Sequence, residues 1–132
     1  MRVALVTGGA GAIGSAITGA LHTDGFRVIA ADLSEERLAA LASTLPGLET
    51  VVADLSSAKG VERALAATGG AVDVLCNTAG VSDGGASIEE LDDAVWERVM
   101  RINLDSIYLM CNRVVPGMHT GDPRLAFPRL PV

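Results

Sequence analysis

The sequence predicts an α/β fold in which helices cover both faces of one doubly wound parallel sheet. Four short apolar runs, at residues 3–6, 27–31, 51–53 and 72–75, alternate with segments whose apolar residues have helical spacing. Buried parallel strands are nearly continuous apolar runs, and the crossovers between them are right-handed. These rules predict about four strands in the order 3-2-1-4, with a ligand site at the carboxyl ends of strands one and four.

Length and composition fit one domain and limit the classes of partner. The chain has 132 residues, of which 49% are hydrophobic, and this is enough for a sizeable core. Its net charge is −6 and it has no basic cluster, so neither nucleic acid nor an anionic membrane is an expected partner. No signal peptide and no apolar run of membrane-spanning length is visible, so a cytoplasmic location is expected.

The two cysteines indicate neither a metal site nor a redox site. Cys76 and Cys111 belong to no Cys-x-x-Cys or Cys/His spacing of the kind that binds metals. We interpret both as small buried side chains in a reducing cytosol, and we predict no metal ligands.

The first predicted unit is a strand at residues 3–6, a glycine-rich loop at 7–14, a helix from 15 to about 25, and a second strand at 27–31 that ends in Asp32. This order is the Rossmann-like fingerprint of dinucleotide-binding proteins. In that fingerprint the phosphates lie at the N-terminus of the helix, where free N–H groups and the helix dipole favour an anion.

Three glycines of the loop have expected physical roles. Gly9 and Gly11 are expected to permit a tight turn and a close approach of the backbone to a pyrophosphate. Gly14 is expected to let the helix pack closely against the strand. The carboxylate of Asp32 is expected to accept hydrogen bonds from both hydroxyls of a ribose.

The predicted cofactor is NAD, in preference to NADP. Asp32 would repel a 2′-phosphate, and Leu33 after it brings no positive charge. Arg27 and Arg37 are the nearest basic residues in the sequence, and neither has the usual position of a phosphate-binding residue.

Two further helices are predicted between the second and fourth strands. Ser34 has the position of an N-cap, and its helix ends at a Pro-Gly pair at residues 46–47. The next helix follows the strand at 51–53, has its apolar stripe within residues 61–65, and ends at the glycines at 69–70.

The region after the fourth strand is predicted to be helical. Ser87 and Glu90 have the spacing of a capping box. Residues 92–103 and 104–115 are predicted as two helices, and the second is expected to bury a face that includes Ile107. On that face Cys111 and Val114 follow at helical spacing.

The last residues differ in character from the rest. Residues 116–132 contain four prolines and no apolar period, so we predict an irregular tail that forms neither a central strand nor a helix. The predicted organisation is therefore the N-terminal part of a dinucleotide-binding domain at 1–115, followed by this tail.

Two loops at the predicted carboxyl ends of strands have distinctive motifs. Residues 7–14 read TGGAGAIG, and residues 76–80 read CNTAG. They resemble the T-G-x-x-x-G-x-G and N-N-A-G motifs of the short-chain dehydrogenase/reductase family. Ala12 replaces the middle glycine of the first motif, and Thr78 replaces the second asparagine of the other.

Two further segments extend the resemblance over residues 1 to about 118. The pair at residues 54–55, Asp-Leu, is similar to the acidic-apolar pair that contacts the adenine ring in this family. Residues 96–104 are similar to the segment with the family's catalytic asparagine, here Asn103. The resemblance implies hydride transfer between a nicotinamide cofactor and a small alcohol or carbonyl substrate, whose identity is not predicted.

The fingerprint and the resemblance together define a set of candidate site residues. The residues expected to bind the cofactor are Thr7, Gly8, Gly9, Gly11, Ala12, Ile13, Gly14, Asp32, Leu33, Asp54, Leu55, Asn77, Ala79 and Gly80. The resemblance implies a catalytic role for Asn103.

The resemblance ends before the family's reaction centre, which has a Ser, a catalytic Tyr and a Lys four residues after that Tyr. The only tyrosine here is Tyr108, with Asn112 four residues later, and the only lysine is Lys59. We therefore predict a truncated chain that has no hydride transfer of its own. Tyr108 is interpreted as a packing residue of the core or an interface. A non-catalytic dinucleotide-binding or oligomerising module and an inactive truncated product stay open as alternatives.

Self-association is also expected. Without further strands, the strand at residues 72–75 has an open parallel edge, and the helix at 104–115 lacks part of its packing surface. Open edges and apolar patches both favour pairing with another chain, here a second copy of this one.

Overall fold

The computed structural model describes residues 1–120. Four strands form one parallel sheet in the order β3-β2-β1-β4, which confirms the predicted topology. The strands are β1 (Val3–Thr7), β2 (Arg27–Asp32), β3 (Glu49–Val52) and β4 (Val74–Asn77). β3 begins two residues before its predicted start, where Glu49 pairs with Ile29, and β4 ends two residues after its predicted end, where Asn77 pairs with Thr7.

The helices alternate with the strands. They are α1 (Ala12–Thr23), α2 (Glu35–Thr44), α3 (Ala58–Ala67), α4 (Asp93–Met100) and α5 (Ser106–Thr120), with a π-helical turn at Arg101–Asp105 between the last two. Ser34 caps α2 as predicted, since its side chain accepts a hydrogen bond from the backbone N–H of Arg37. Among the described residues, no helix has the length and hydropathy needed to cross a bilayer.

The core has two layers because side chains alternate between the faces of the sheet. On one face, Leu5 and Ile29 pack with Val61 and Leu65 of α3 and Met110 of α5. On the other face, the buried residues of β1 and β2 pack against α1. Their side chains are Ala4, Val6 and Val28 from the strands, with Ile17 and Leu21 from the helix. Helices therefore cover both faces of the sheet, as the sequence predicts.

The predicted break between two helices at residues 103 and 104 is wrong. α4, the π-helical turn and α5 follow one another directly from Asp93 to Thr120. The π-helical turn inserts extra backbone into the helical run and so changes the direction of the side chains after it. In the sequence, such a change in the spacing of the apolar residues has the same pattern as the start of a new helix.

The buried face of α5 also differs from the predicted one. Ile107 is 37% exposed and Cys111 is only partly buried, whereas Met110 and Arg113 are buried together with Val114. Val114 is thus the one member of the predicted stripe that lies in the core. The shift has a geometric cause, because the π-helical turn before Ser106 rotates the stripe relative to the preceding residues.

The predicted capping box at Ser87 and Glu90 does not begin a helix. The Ser87 hydroxyl donates a hydrogen bond of 3.0 Å to the Glu90 carboxylate, and the two residues close a turn. Asp92 caps α4 instead, where its carboxylate accepts a hydrogen bond from the backbone N–H of Ala94. The carboxylate of Asp92 satisfies a first-turn N–H that the Ser87 hydroxyl does not reach.

The prediction that residue 116 begins an irregular tail is wrong for its first five residues. α5 continues through Pro116 to Thr120. A proline removes one backbone donor from a helix, and the buried Met110 and Val114 anchor the turns before it. The rest of the predicted tail, at 121–132, lies outside the described residues.

Candidate functional site

A cleft of about 210 Å³ lies at the carboxyl ends of the strands. Eight residues predicted from the sequence line it, and they come from four separate loops. These residues are Gly8, Gly11, Asp32, Leu33, Asp54, Leu55, Ala79 and Gly80. The fold therefore brings most of the predicted cofactor-binding residues to one place.

The glycine-rich loop crosses the segment after β4 at close range. Gly8 has φ +62°, in the left-handed region that favours glycine, and a Cβ there would lie 2.8 Å from the Ala79 Cα. At Gly14 a Cβ would lie far inside van der Waals contact of the Gly8 carbonyl oxygen and 2.9 Å from Thr78 Oγ1. Gly14 is therefore a close-approach residue, but it packs against the loop and Thr78 rather than against a strand as predicted.

Gly9 has a different position from the one the fingerprint indicates. It is buried, and a Cβ at this residue would lie 2.8 Å from the Cβ of Ala30 in β2. Its carbonyl accepts a hydrogen bond of 3.4 Å from the buried hydroxyl of Thr18. Gly9 thus packs the loop onto the sheet, whereas Gly8 and Gly11 line the cleft.

The N-terminus of α1 is open to an anion. Gly11 is its N-cap, and no side chain caps the helix. Ala12 and Ile13 are exposed in the first turn. Because the first N–H groups of a helix have no intrahelical acceptor, these amides are donors at the positive end of the helix dipole.

The carboxylate of Asp32 lies at the cleft wall and accepts three hydrogen bonds, and its side chain is only 5% exposed. Oδ1 accepts from the backbone N–H of Ser34 at 3.0 Å and from Arg37 Nη2 at 2.9 Å. Oδ2 accepts from the backbone N–H of Ala10 at 3.2 Å. Burial raises the pKa of Asp32, but these three donors outweigh it and hold the pKa below its usual value.

Thr7 and Thr78 join the ends of β1 and β4. The Thr7 hydroxyl accepts hydrogen bonds from the backbone N–H groups of Thr78 and Ala79, at 3.1 and 3.2 Å, and donates to the Cys76 carbonyl. The Thr78 hydroxyl donates to the Thr7 carbonyl. Thr7 is buried and does not line the cleft, so its role in the described structure is to hold two cleft loops together.

Asn103 lies within the π-helical turn and binds the loop after β4. Its Oδ1 accepts from the backbone N–H of Val81 at 2.8 Å, and its Nδ2 donates to the Val81 carbonyl at 2.9 Å. Oδ1 lies 3.3 Å from the position that a Cβ would take at Gly80. Asn103 is therefore beside the cleft, and its implied catalytic role stays a prediction.

Asn77 contacts α5, whereas Asp54 is held by its own loop. Asn77 Nδ2 donates to Cys111 Sγ at 3.5 Å, and Asn77 does not line the cleft. Asp54 lines the cleft, and its Oδ1 accepts from the backbone N–H and the hydroxyl of Ser56, at 3.0 and 2.6 Å. Burial raises the pKa of the neighbouring Cys76 thiol.

Tyr108 does not pack in the core. Its side chain is 64% exposed on α5, and neither Tyr108 nor the exposed Lys59 of α3 lines the cleft. The part of the prediction that placed Tyr108 in the core is therefore wrong, because the phase of α5 is set by the π-helical turn. Among the described residues, no group of three His, Cys, Asp or Glu side chains is placed to hold a metal ion.

Several residues that line the cleft were not predicted as site residues. They are Arg37, Ala53, Ser56, Thr78, Val81, Ile102 and Ser106. Arg37 lies in the first turn of α2, and α2 begins soon after Asp32, which lines the cleft. The predicted start of this helix was therefore a signal that Arg37 lies near the cleft. Ile102 and Ser106 had no comparable signal, since the π-helical turn decides where they point.

Comparison with known proteins identifies the family. The family model described as short chain dehydrogenase matches residues 2–123. D-threitol dehydrogenase of Mycolicibacterium smegmatis is 42% identical over an alignment of 120 residues, and the match covers 86% of this chain and 46% of that protein. 3beta-hydroxysteroid dehydrogenase 2 of Eggerthella lenta is 41% identical over an alignment of 114 residues, and the match covers 80% of this chain and 44% of that protein. The chain thus spans less than half the length of these curated relatives.

Solved structures show the same fold. A metagenomic short-chain oxidoreductase in complex with NADP has a TM-score of 0.82 and 32% identity, over 91% of this chain and 57% of that one. The 3-ketoacyl-(acyl-carrier-protein) reductase from Brucella melitensis complexed with NADH has a TM-score of 0.81 and 25% identity, over 92% and 53%. Structures similar to this chain therefore include complexes with both kinds of nicotinamide cofactor.

Proposed function

The chain belongs to the short-chain dehydrogenase family, and we propose that its cleft binds a nicotinamide dinucleotide, with NAD preferred over NADP. In this proposal the chain is the cofactor-binding part of an oxidoreductase acting on a small alcohol or carbonyl compound. A cytoplasmic location is part of the proposal, and the two free cysteines support it.

The observation that carries the proposal is the alignment of three elements along one cleft. Gly8 and Gly11 form a wall without side chains, the uncapped α1 begins beside them, and Asp32 closes the end of β2. A Cβ at Gly11 would lie 3.2 Å from the Gly8 carbonyl oxygen, which is a tight contact, so the fold of the loop favours a residue without a side chain there. A pyrophosphate fits such a backbone surface, since it needs N–H donors and close approach rather than side chains.

The remaining contacts fit the adenosine part of the cofactor. Oδ2 of Asp32 has one hydrogen bond, from the Ala10 amide, and so keeps acceptor capacity for a ribose hydroxyl. Leu33, Ala53 and Leu55 provide apolar surface beside Asp54. When bound, the nicotinamide ring is the group that gives or accepts the hydride.

We propose that this chain by itself does not transfer hydride at a useful rate. General acid–base assistance is typically worth about 10²–10⁴-fold, and no Tyr-x-x-x-Lys pair exists in the sequence to provide it. Tyr108 is exposed away from the cleft lining and Lys59 lies on α3. Asn103, already bonded to Val81, is left as a positioning residue of the cleft.

The alternatives are a non-catalytic dinucleotide-binding or oligomerising module, and an inactive truncated product. Turnover measured by nicotinamide absorbance over a panel of alcohols and ketones, with Tyr108→Phe as the control variant, separates an enzyme from both. Turnover that Tyr108→Phe abolishes would contradict the proposal and make Tyr108 the catalytic acid.

Self-association with a second copy is also proposed, and a row of exposed apolar side chains supports it. The row comprises Trp96 of α4, Leu104 of the π-helical turn, and Ile107, Tyr108, Val115 and Met118 of α5. β4 is at the edge of the described sheet, so its outer backbone groups are also free of a neighbouring strand there. Burial of such a row against an identical row removes apolar surface from water.

Calorimetric titration of the purified chain with NAD and NADP tests the cofactor proposal. We expect saturable binding of NAD and weaker binding of NADP. Binding of neither cofactor would contradict the proposed function, and equal or tighter binding of NADP would contradict the preference. Asp32→Ala is expected to weaken the binding of NAD and to narrow the difference between the affinities for NAD and NADP, because it removes the acceptor for the ribose hydroxyl.

A further inference from the structure

Ser106 donates to two carbonyls of the π-helical turn at once. Its backbone N–H donates to the carbonyl of Arg101, whereas a regular α-helix would direct the same N–H to the carbonyl of Ile102. The Ser106 hydroxyl donates to the Ile102 carbonyl instead, at 2.6 Å. The side chain of Ser106 therefore takes the place of the N–H that the π-helical geometry directs to Arg101.

The surroundings of this hydroxyl make its hydrogen bond costly to lose. Ser106 is only 4% exposed, and both Ser106 and the half-buried Ile102 line the cleft. A carbonyl that loses its donor in such a place costs more than the net value of one hydrogen bond. By contrast, Ser43 donates a bond of the same length to the Ala40 carbonyl at an exposed position of α2, where water is able to replace it.

The π-helical turn decides which side chain faces the loop after β4. The buried Met110 and Val114 hold α5 in the core. Successive residues of an α-helix are about 100° apart, so a change of the turn to α-helical geometry would rotate the residues before it by about that angle relative to α5. Asn103, whose amide binds both backbone groups of Val81, would then turn away from Val81.

The loop that begins at Val81 has few other anchors in the described structure. Arg98 Nη2 donates to the Ser82 carbonyl at 3.3 Å, at an exposed position. A Cβ at Gly84 or Gly85 would meet nothing within 4 Å, so the loop is not packed there. The placement of Val81 therefore depends chiefly on Asn103, and through Asn103 on the geometry of the turn.

We propose that Ser106 is a positioning residue of the cleft, because its hydroxyl holds the π-helical geometry that presents Asn103 to Val81. Ser106 acts through Asn103 and needs no contact with a ligand. Without the hydroxyl, the turn relaxes towards α-helical geometry and the Ser106 N–H returns to the Ile102 carbonyl. The cleft wall beside β4 then loses its defined shape, whereas the wall beside β2 is unchanged.

Amide hydrogen exchange followed by NMR tests this proposal without any ligand. Ser106→Ala is expected to lower the protection of the Val81 amide by about fivefold or more, because the hydrogen bond to the Ile102 carbonyl is lost. Ser106→Thr keeps a hydroxyl that is able to bond to the carbonyl four residues back, so it is expected to restore most of the protection. Ser43→Ala makes the same chemical change in α2 and is expected to leave the Val81 amide unaffected.

The amide of Ile29, in the middle of β2, separates positioning from a general loss of stability. Ile29 is fully buried, so the exchange of its amide reports unfolding of the sheet. A loss of protection at Val81 that exceeds the loss at Ile29 supports the proposal. Equal losses at the two amides, or an unchanged Val81 amide in Ser106→Ala, would overturn it and leave the proposed function standing.

A second measurement rests on the proposed function and uses calorimetric titration with NAD and ADP. ADP has only the adenosine and pyrophosphate of NAD, so it does not need the wall beside β4. Ser106→Ala is expected to weaken NAD by about threefold or more relative to ADP, because a wall that is ordered for part of the time lowers the apparent affinity. An equal change for both ligands would overturn the proposal. Binding of neither ligand by the wild-type chain would overturn the proposed function, and the exchange at Val81 would still decide the role of Ser106.

Discussion

The side chain of Asn103 forms hydrogen bonds with both backbone groups of a single residue, Val81, at 2.8 and 2.9 Å. Asn103 lies in the π-helical turn between α4 and α5, and Val81 lies in the loop that follows β4 and lines the cleft. The paired contact requires a group that both donates and accepts, which a side-chain amide provides. It ties the helical run of residues 93–120 to the cleft across 22 residues of sequence.

Asn103→Ala is expected to destabilise the chain by about 1–3 kcal/mol, because the backbone N–H and carbonyl of Val81 are left without partners in a half-buried loop. Urea unfolding followed by circular dichroism measures the change. Asn112→Ala, at an exposed position of α5, is the matched control and is expected to change stability by less than about 0.5 kcal/mol. Equal losses in the two variants would contradict a specific role for the Asn103 contact.

Two glycines of α1 are expected to respond in opposite directions to alanine. Gly14→Ala places a methyl group against the Gly8 carbonyl and Thr78 Oγ1, so it is expected to destabilise the chain and to displace the glycine-rich loop. Gly19→Ala meets nothing within 4 Å and is expected to stabilise the helix by roughly 0.5–1 kcal/mol. Thermal unfolding of the two variants side by side checks the prediction, and a neutral Gly14→Ala would show that the loop yields easily.

Stability is expected to fall in acid through Asp32. The pKa of Asp32 is lower in the folded chain than its ordinary value of 3.8, so the unfolded chain binds the proton more tightly. The contribution of this carboxylate is therefore fully present above that ordinary value and is lost as the pH falls through the folded-state pKa.

Asp32→Asn is expected to remove this part of the acid dependence. The measurement is the free energy of unfolding as a function of pH, with Asp24→Asn at the exposed end of α1 as the control. If the free energy of unfolding falls with decreasing pH by the same amount in Asp32→Asn and in wild type, the loss of stability in acid does not come from Asp32.

The exposed row on α4 and α5 is expected to drive association with a second copy. Leu104→Ser combined with Tyr108→Ser removes two exposed apolar side chains from the middle of the row, whereas Ile88→Ser removes an even more exposed one from a loop outside it. Light scattering over a dilution series is expected to give an association constant that falls in the first variant and is unchanged in the second. A wild-type chain that stays monomeric at high concentration would contradict the prediction.

The sequence by itself determined the sheet and the place of the cleft. The four apolar runs, the glycine-rich loop and Asp32 lie close to where their local patterns predict, and the strand order follows from the handedness of the crossovers. These features depend on short stretches of chain, such as an apolar run that is buried on both faces or a serine that caps the helix after it. Such a pattern lies within a few consecutive residues, so it can be recognised in the sequence without knowledge of the tertiary contacts.

Only the tertiary structure decided which donors and acceptors meet. The pairing of Thr7 with Thr78 joins residues 71 positions apart, and the contact of Asn103 with Val81 depends on a π-helical turn that shifts the phase of α5. The contact between Arg37 and Asp32 is close in sequence, yet it depends on the rotamer that Arg37 adopts at the wall of the cleft. Hydrogen bonds require separations within a few tenths of an ångström and defined angles, and an apolar pattern along the chain carries neither.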